Sequence, residues 1–144
     1  MIKLITLFMT LLLAACNPSN ATSAGVVNSS SLIAAVDMAA SAHKLDNKLL
    51  LSVAYIESKF DVKARNGSSV GLMQVHLRYH RDKFKGASVF NPYANMFVGA
   101  QILKECMNKM DNNVKKALRC YNGGGDKNYP AKVLKQLQVF KKEK

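Results

Sequence analysis

The stretch Leu49-Leu50-Leu51-Ser52-Val53-Ala54-Tyr55-Ile56-Glu57-Ser58-Lys59-Phe60 reads as an apolar helix that ends on an acid. Asp46 stands where an N-cap is wanted, and Leu49, Leu50, Val53, Ala54 and Ile56 follow at helical spacing. Glu57 shares a stripe with Leu50, Val53 and Ala54, which lie seven, four and three residues before it. Its carboxylate is disfavoured twice, because apolar neighbours desolvate the ionised form and the negative end of the helix dipole repels it. The expected result is a raised pKa, the property a general acid needs near neutral pH. The bland alternative is a helix-end acid whose carboxylate reaches out into water.

Outward from this segment the pattern stays helical. Ser31 can cap a helix through Leu32, Ile33, Val36, Met38 and Ala39 to about Lys44. Asn91-Pro92 is a cap and first-turn pair for a long helix from Tyr93 to about Met110, with Met96, Phe97, Ala100 and Leu103 on one stripe. Asn112 or Asn113 starts another, which Gly123-Gly124-Gly125 stops, and Pro130 opens a last one carrying Val133, Leu134, Leu137 and Phe140. Between Asp61 and Asn91 the chain reads as loop-rich, with a short apolar segment at Val70 to Val75. The fold class is therefore mainly α, with no repeat, no parallel sheet and no phosphate-cradling glycine loop.

Composition agrees and narrows the classes. At 144 residues, 49% apolar and 21% charged, the chain is one globular domain's worth, and three cysteines are too few for a disulfide-stapled mini-protein. A formal charge of +12 directs the surface towards an anionic partner: nucleic acid, an acidic membrane face or an acidic polymer. Met1-Ile2-Lys3, the apolar run Leu4 to Leu13 and then Leu13-Ala14-Ala15-Cys16 form a secretion signal, too short for the roughly 20 residues of a spanning helix. Leu13 to Cys16 resembles the lipobox of bacterial lipoproteins, which implies cleavage before Cys16 and lipidation of Cys16. The expected organisation is a lipoprotein signal peptide over 1–15, a flexible small-residue tether over 16–30 and a folded domain over 31–144. Lys3 is the sole charge before Cys16, so the mature chain stays strongly basic, yet an anchored envelope protein is a poor nucleic-acid binder.

Four short motifs then occur in order: Glu57-Ser58-x-Phe60, Gly71-Leu72-Met73-Gln74, Tyr121-Asn122-Gly123-Gly124, and Tyr129 with Val133 four residues on. Together with Asn91-Pro92, Asn95, Gly99-Ala100 and Leu103, they resemble the catalytic domain of the soluble lytic transglycosylase family, a goose-lysozyme-like fold, over Leu32 to Leu137. The resemblance implies a single lysozyme-like helical domain. It also implies cleavage of the β-1,4 bond between N-acetylmuramic acid and N-acetylglucosamine in peptidoglycan, without water, leaving a 1,6-anhydro end. One carboxyl, Glu57, would act first as acid and then as base, whereas ordinary glycosidases use two carboxylates about 5 Å apart or wider. Gln74 would line the cleft beside it, Ser58 would support it, Met73 would offer an adaptable apolar wall, and Tyr121 and Asn122 would line the third motif. Tyr129 is expected to point its hydroxyl at Glu57. The sequence departs from the family at Cys120, where a small residue is usual, and at the polar, basic loop Val62 to Val70.

The other eight acids fall mostly on polar helix faces or in turns, and Asp61, four residues past Glu57, is expected to turn the chain. His76 and His80 have helical i, i+4 spacing but lack a third ligand, so they read as a solvated basic face near the cleft, with no metal and no cofactor implied. His43 ends a helix, where a cation is welcome. Cys106 and Cys120 lie symmetrically about Asn113, the expected turn between two helices, so an antiparallel pair would bring them together as a disulfide in an oxidising envelope. The expected partners are peptidoglycan strands and, through the anchor, a membrane, with the outer membrane favoured by Asn17 after Cys16 if the host is Gram-negative. An envelope-spanning secretion, pilus or phage assembly is a further candidate. Two rival functions stand beside this one: a hydrolytic muramidase on the same fold, and a catalytically idle wall-binding lipoprotein.

Overall fold

The computed structural model describes residues 27–143, so Cys16, the leader and most of the tether lie outside the described residues. Helix α1 spans Ser29–His43 and begins earlier than the Ser31 cap would set it. The cap is Asn28, whose side-chain oxygen accepts the Ser31 backbone N–H at 2.8 Å. Asn28 stands three residues before that orphan donor, so Ser31 is consumed inside the first turn. Helix α2, Asn47–Ser58, is capped by Asp46 through the Leu49 N–H at 2.8 Å. It ends because Lys59 and Phe60 both take left-handed backbone, φ 53° and 68°. Such φ costs a residue with a Cβ about 1–2 kcal/mol, and here the turn sets the Lys59 ammonium and the Phe60 ring on the Tyr55 ring, at 3.8 and 5.4 Å.

The loop-rich stretch is more ordered than its composition suggests. Three two-residue strands, β1 (Arg65–Asn66), β2 (Ser69–Val70) and β3 (Val75–His76), form an antiparallel sheet in sequence order, with Arg65 opposite Val70 and Val70 opposite Val75. Strands this short show no period-2 alternation, which is why the sequence read as loop. A short helix α3, Leu77–His80, and a 3-10 turn, Arg81–Phe84, lead into α4, Pro92–Lys109.

Helix α4 is the axis of the molecule. Met96, Val98, Ala100, Ile102 and Leu103 are buried on several of its sides, because α1 packs on one flank and α5, Val114–Tyr121, on another. Asn113, not Asn112, caps α5, and Asn112 instead takes φ 58° in the turn before it. Helix α6, Tyr129–Lys142, closes the bundle against α2 and α5. Leu50, Val53, Leu72, Met73, Leu103, Leu118 and Val133 meet in one core. The result is a mainly α, single-domain, lysozyme-like architecture. No helix of the described residues is long and apolar enough to cross a membrane.

Cys106 of α4 and Cys120 of α5 are joined in a disulfide across a separation of 14 residues, with Cα atoms 5.8 Å apart. Closing a loop of that size stabilises by about 3 kcal/mol. A Cys106→Ser, Cys120→Ser double variant is therefore expected to lose about that much in denaturant titration, and non-reducing peptide mapping of exported protein should recover the linked pair. Equal stability of the oxidised protein and the double variant would contradict this.

Candidate active site

Glu57 sits in the last turn of α2 at the side of a cleft of about 510 Å³. The sheet contributes Asn66, Ser69 and His76 to its walls, α3 contributes Tyr79 and His80, α4 contributes Glu105 and Lys109, and α5 with the turn after it contributes Cys120, Tyr121 and Asn122. Burial pushes the Glu57 carboxyl up from its ordinary 4.5 to about 7, with a hydrogen bond from Tyr129 opposing the shift. The dominant cause is burial, in the direction that the apolar stripe led the sequence to predict.

The Tyr129 hydroxyl reaches from the first residue of α6 to Glu57 Oε1 at 2.5 Å. Burial and the Glu57 charge hold the Tyr129 phenol far above its ordinary value, so this oxygen donates. With Oε1 taken as an acceptor, the proton of the neutral acid belongs on Oε2. Tyr129→Phe removes the one interaction that lowers the Glu57 pKa, so the alkaline limb of any activity that needs protonated Glu57 is expected to move to higher pH. A pH profile of kcat/KM checks this, and a limb that moves down or stays put would show that the hydroxyl does not act through Glu57.

The second motif is a turn held by its own backbone. Gly71 takes φ 76°, and a Cβ there would overlap the Asn95 side-chain amide. Gln74, at φ 45°, lines the cleft and donates its side-chain Nε2 to the Ala64 and Gly71 carbonyls at 3.2 and 3.1 Å. Both amide hydrogens are thereby spent, so Gln74 offers a ligand its carbonyl oxygen as an acceptor and not the donor–acceptor pair expected from its chemistry. Asn122 is the complement. Its Oδ1 accepts the Asp126 N–H at 2.9 Å, which leaves its NH₂ to donate into the cleft.

Two of the expected substrate-binding side chains have other tasks. Met73 is fully buried and sits against the backbone of Gly99, where a Cβ would overlap it, so it belongs to the core and does not form a cleft wall. Its main chain matters more, since the Met73 carbonyl accepts the Tyr121 hydroxyl at 2.7 Å. Tyr121 thus presents ring and not hydroxyl, and burial keeps its phenol protonated. Ser58 is not among the cleft-lining residues. Its hydroxyl lies 2.9 Å from the Leu72 carbonyl and 3.1 Å from that of Ala54, which fastens the end of α2 to the Gly71–Gln74 turn. Ser58 therefore positions the acid through the backbone and does not touch it.

The histidines also differ from a solvated basic face. His76 and His80 line the cleft, but each has a buried Nδ1 without a hydrogen-bond partner among the described residues. Burial and nearby Lys83 lower the His80 pKa. His43 is likewise held towards the neutral form by burial, its ring 4.5 Å from that of Phe97, so it is not the helix-end cation expected. Among the described residues no three His, Cys, Asp or Glu side chains are grouped to hold a metal ion.

Two residues have roles that the sequence did not assign: Asn95 was named there only as part of a family-like helix, and Glu105 only as an acid on a polar face. Asn95 is 1% exposed and joins three strangers: its Nδ2 donates to the Val70 and Val89 carbonyls at 3.0 and 2.8 Å, and its Oδ1 accepts the Met73 N–H at 2.8 Å. A polar residue beside Met96 and Gly99 on a buried helix face was the available signal. Glu105, read as a polar-face residue, is a second carboxylate on the cleft, where Lys83 holds it at 2.7 Å and Gln101 at 3.1 Å. Asp61 does turn the chain, accepting the Lys63 N–H at 2.8 Å, and does not line the cleft.

Among solved structures the chain is similar to the lytic transglycosylase Slt of Pseudomonas aeruginosa, determined as an inactive mutant, with 24% identity and a TM-score of 0.58. The match covers 72% of this chain and 17% of that one, so it shows a shared domain fold within a much longer protein. Residues 34–142 match the family model described as the transglycosylase SLT domain, from α1 through all the motifs to the end of α6, and the chain belongs to that family.

Proposed function

We propose that the protein is a peptidoglycan lytic transglycosylase, cleaving the β-1,4 bond between N-acetylmuramic acid and N-acetylglucosamine to leave a 1,6-anhydro-muramoyl end. The observation that carries this reading is a carboxyl at a pKa of about 7, bordering an open cleft and steadied by a tyrosine hydroxyl. Near neutral pH such a group exists in both forms, so it can serve in both directions. In the first half, Glu57 gives its Oε2 proton to the glycosidic oxygen as the bond to the muramoyl C1 breaks. In the second, the muramoyl O6 hydroxyl attacks C1 and its proton returns to Glu57, so no water is consumed and no cofactor takes part. Tyr129 hydrogen-bonds the carboxylate between the two halves, while the Gln74 oxygen and the Asn122 NH₂ suit the N–H and C=O of acetamido groups.

The muramidase alternative is favoured by one feature, Glu105 on the same cleft, which could orient an attacking water. Its carboxylate oxygen is already engaged by Lys83 and Gln101 and its side chain is half-exposed, so the one-acid reading stands first. Mass analysis of digested sacculi in heavy-oxygen water separates the two. Anhydro ends, lighter by one water and unlabelled, support transglycosylation, and labelled reducing ends overturn it in favour of hydrolysis. No release of glycan by folded wild-type protein would leave the idle wall-binding reading.

The same proposal sets the protein on the periplasmic face of the cell envelope, held by lipid on Cys16, at the outer membrane in a Gram-negative host. The basic surface suits a wall polymer rich in stem-peptide carboxylates, and nucleic acid is no part of the reading. A secretion, pilus or phage assembly that must pass the wall is the fitting company for such an enzyme. Cys16→Ser is expected to abolish diacylglyceryl attachment and the lipid-dependent cleavage before residue 16, as mass analysis of the protein would report.

A further inference from the structure

We propose that Tyr79 is a stacking platform for one pyranose ring of the glycan strand, a binding subsite on the α3 wall of the cleft. The inference rests on the peptidoglycan-cleaving reading and extends it. Tyr79 is 67% exposed, the most open large hydrophobic side chain among the described residues, and it lines the same cleft as Glu57. It is not splayed freely into solvent. One side of its ring is covered by the His76 ring, 4.7 Å away and 29° from parallel, and the edge is braced by His80 at 6.3 Å and 66°. A ring stacked on one side and edge-braced keeps its other side for a ligand, with little rotamer freedom left to lose on binding.

The chemistry of the wall selects the occupant. An aromatic face carries partial negative charge, and the flat side of an equatorially substituted pyranose presents partly positive C–H groups to it. The sheet edge beside α3 adds Asn66 and Ser69, neutral groups that exchange hydrogen bonds with hydroxyl and acetamido substituents. An open aromatic face on a cleft wall that also carries the neutral Asn66 and Ser69 is the pattern of a sugar subsite. Tyr79 touches substrate in this scheme but no reacting atom, so its effect falls on binding.

The chain has no tryptophan, which makes the test direct. In a Glu57→Gln, Tyr79→Trp variant the new indole is the sole tryptophan, and its emission is expected to shift to the blue and saturate as uncrosslinked glycan strands are added. In the otherwise native protein, Tyr79→Ala is expected to raise KM for the same strands about tenfold with kcat little changed, and Tyr79→Phe to stay near wild type, because the ring and not the hydroxyl is used. Circular dichroism should be the same for all, since an exposed side chain on a four-residue helix adds little to the core. Emission that ignores the glycan together with an unchanged KM in Tyr79→Ala overturns the platform while leaving a cleaving wild type as a transglycosylase. A saturable shift in a protein whose wild type releases no glycan keeps the platform and removes the enzyme reading instead.

Discussion

Glu57→Gln is expected to lower glycan cleavage by about 10⁴-fold or more, the upper end of what loss of general acid–base assistance costs, because one group serves both proton transfers. The amide keeps the shape of the carboxyl but has no proton of suitable acidity for the leaving oxygen. Tyr129 can still donate to its oxygen, so binding of glycan should survive. The same substitution carries a stability signature. Burial raises the Glu57 pKa from 4.5 to about 7, so the folded state binds a proton more tightly than the unfolded chain does. That contribution is complete below pH 4.5 and is lost as pH rises through about 7. Across that window the wild type should lose roughly 3 kcal/mol that Glu57→Gln, with nothing to ionise, does not lose. The variant is therefore expected to be the more stable protein at pH 9 while being the less active at every pH. An active Glu57→Gln would remove both enzymatic readings, and parallel pH–stability curves would show that the carboxyl is less desolvated than its surroundings indicate.

Asn95→Leu should produce the largest loss of stability, roughly 3–5 kcal/mol, because leucine fills the same volume and satisfies none of the three backbone groups that Asn95 holds. The Val70 and Val89 carbonyls and the Met73 N–H would be left dry and unpaired. These groups span the sheet, the loop before α4 and the turn that carries Gln74, so the cleft should lose its shape along with its stability. Denaturant titration measures the first, and a glycan-binding assay on the fraction still folded measures the second. A cost under about 1 kcal/mol would mean that water or a small backbone shift replaces the amide.

Helical spacing and cap residues alone determined most of the architecture. The apolar stripe of Leu50, Val53 and Ala54, the Asp46 and Asn91 caps and the glycines after Asn122 are local features, and local backbone preferences answer to them directly. The raised pKa of Glu57 was legible in direction, since an acid on an apolar stripe is carried into the interior and burial is the first cause of the shift. The pairing of Cys106 with Cys120 needed just one turn between two helices, so symmetry about Asn113 sufficed.

Tertiary structure decided what each polar atom is left free to do. Met73 and Ser58 carry side chains that suit a sugar site, but the close approach of Gly99 draws the first into the core and the Leu72 carbonyl claims the second. Gln74 keeps an acceptor and Asn122 a donor solely because backbone groups from the surrounding turns consume the other half of each amide. Glu105 and Tyr79 reach the cleft because α4 and α3 border it, a relation between segments 26 residues apart that neither segment's own pattern encodes. Hydrogen-bond capacity is a property of the residue, whereas its availability depends on which distant carbonyls and amides the packed core brings within about 3 Å.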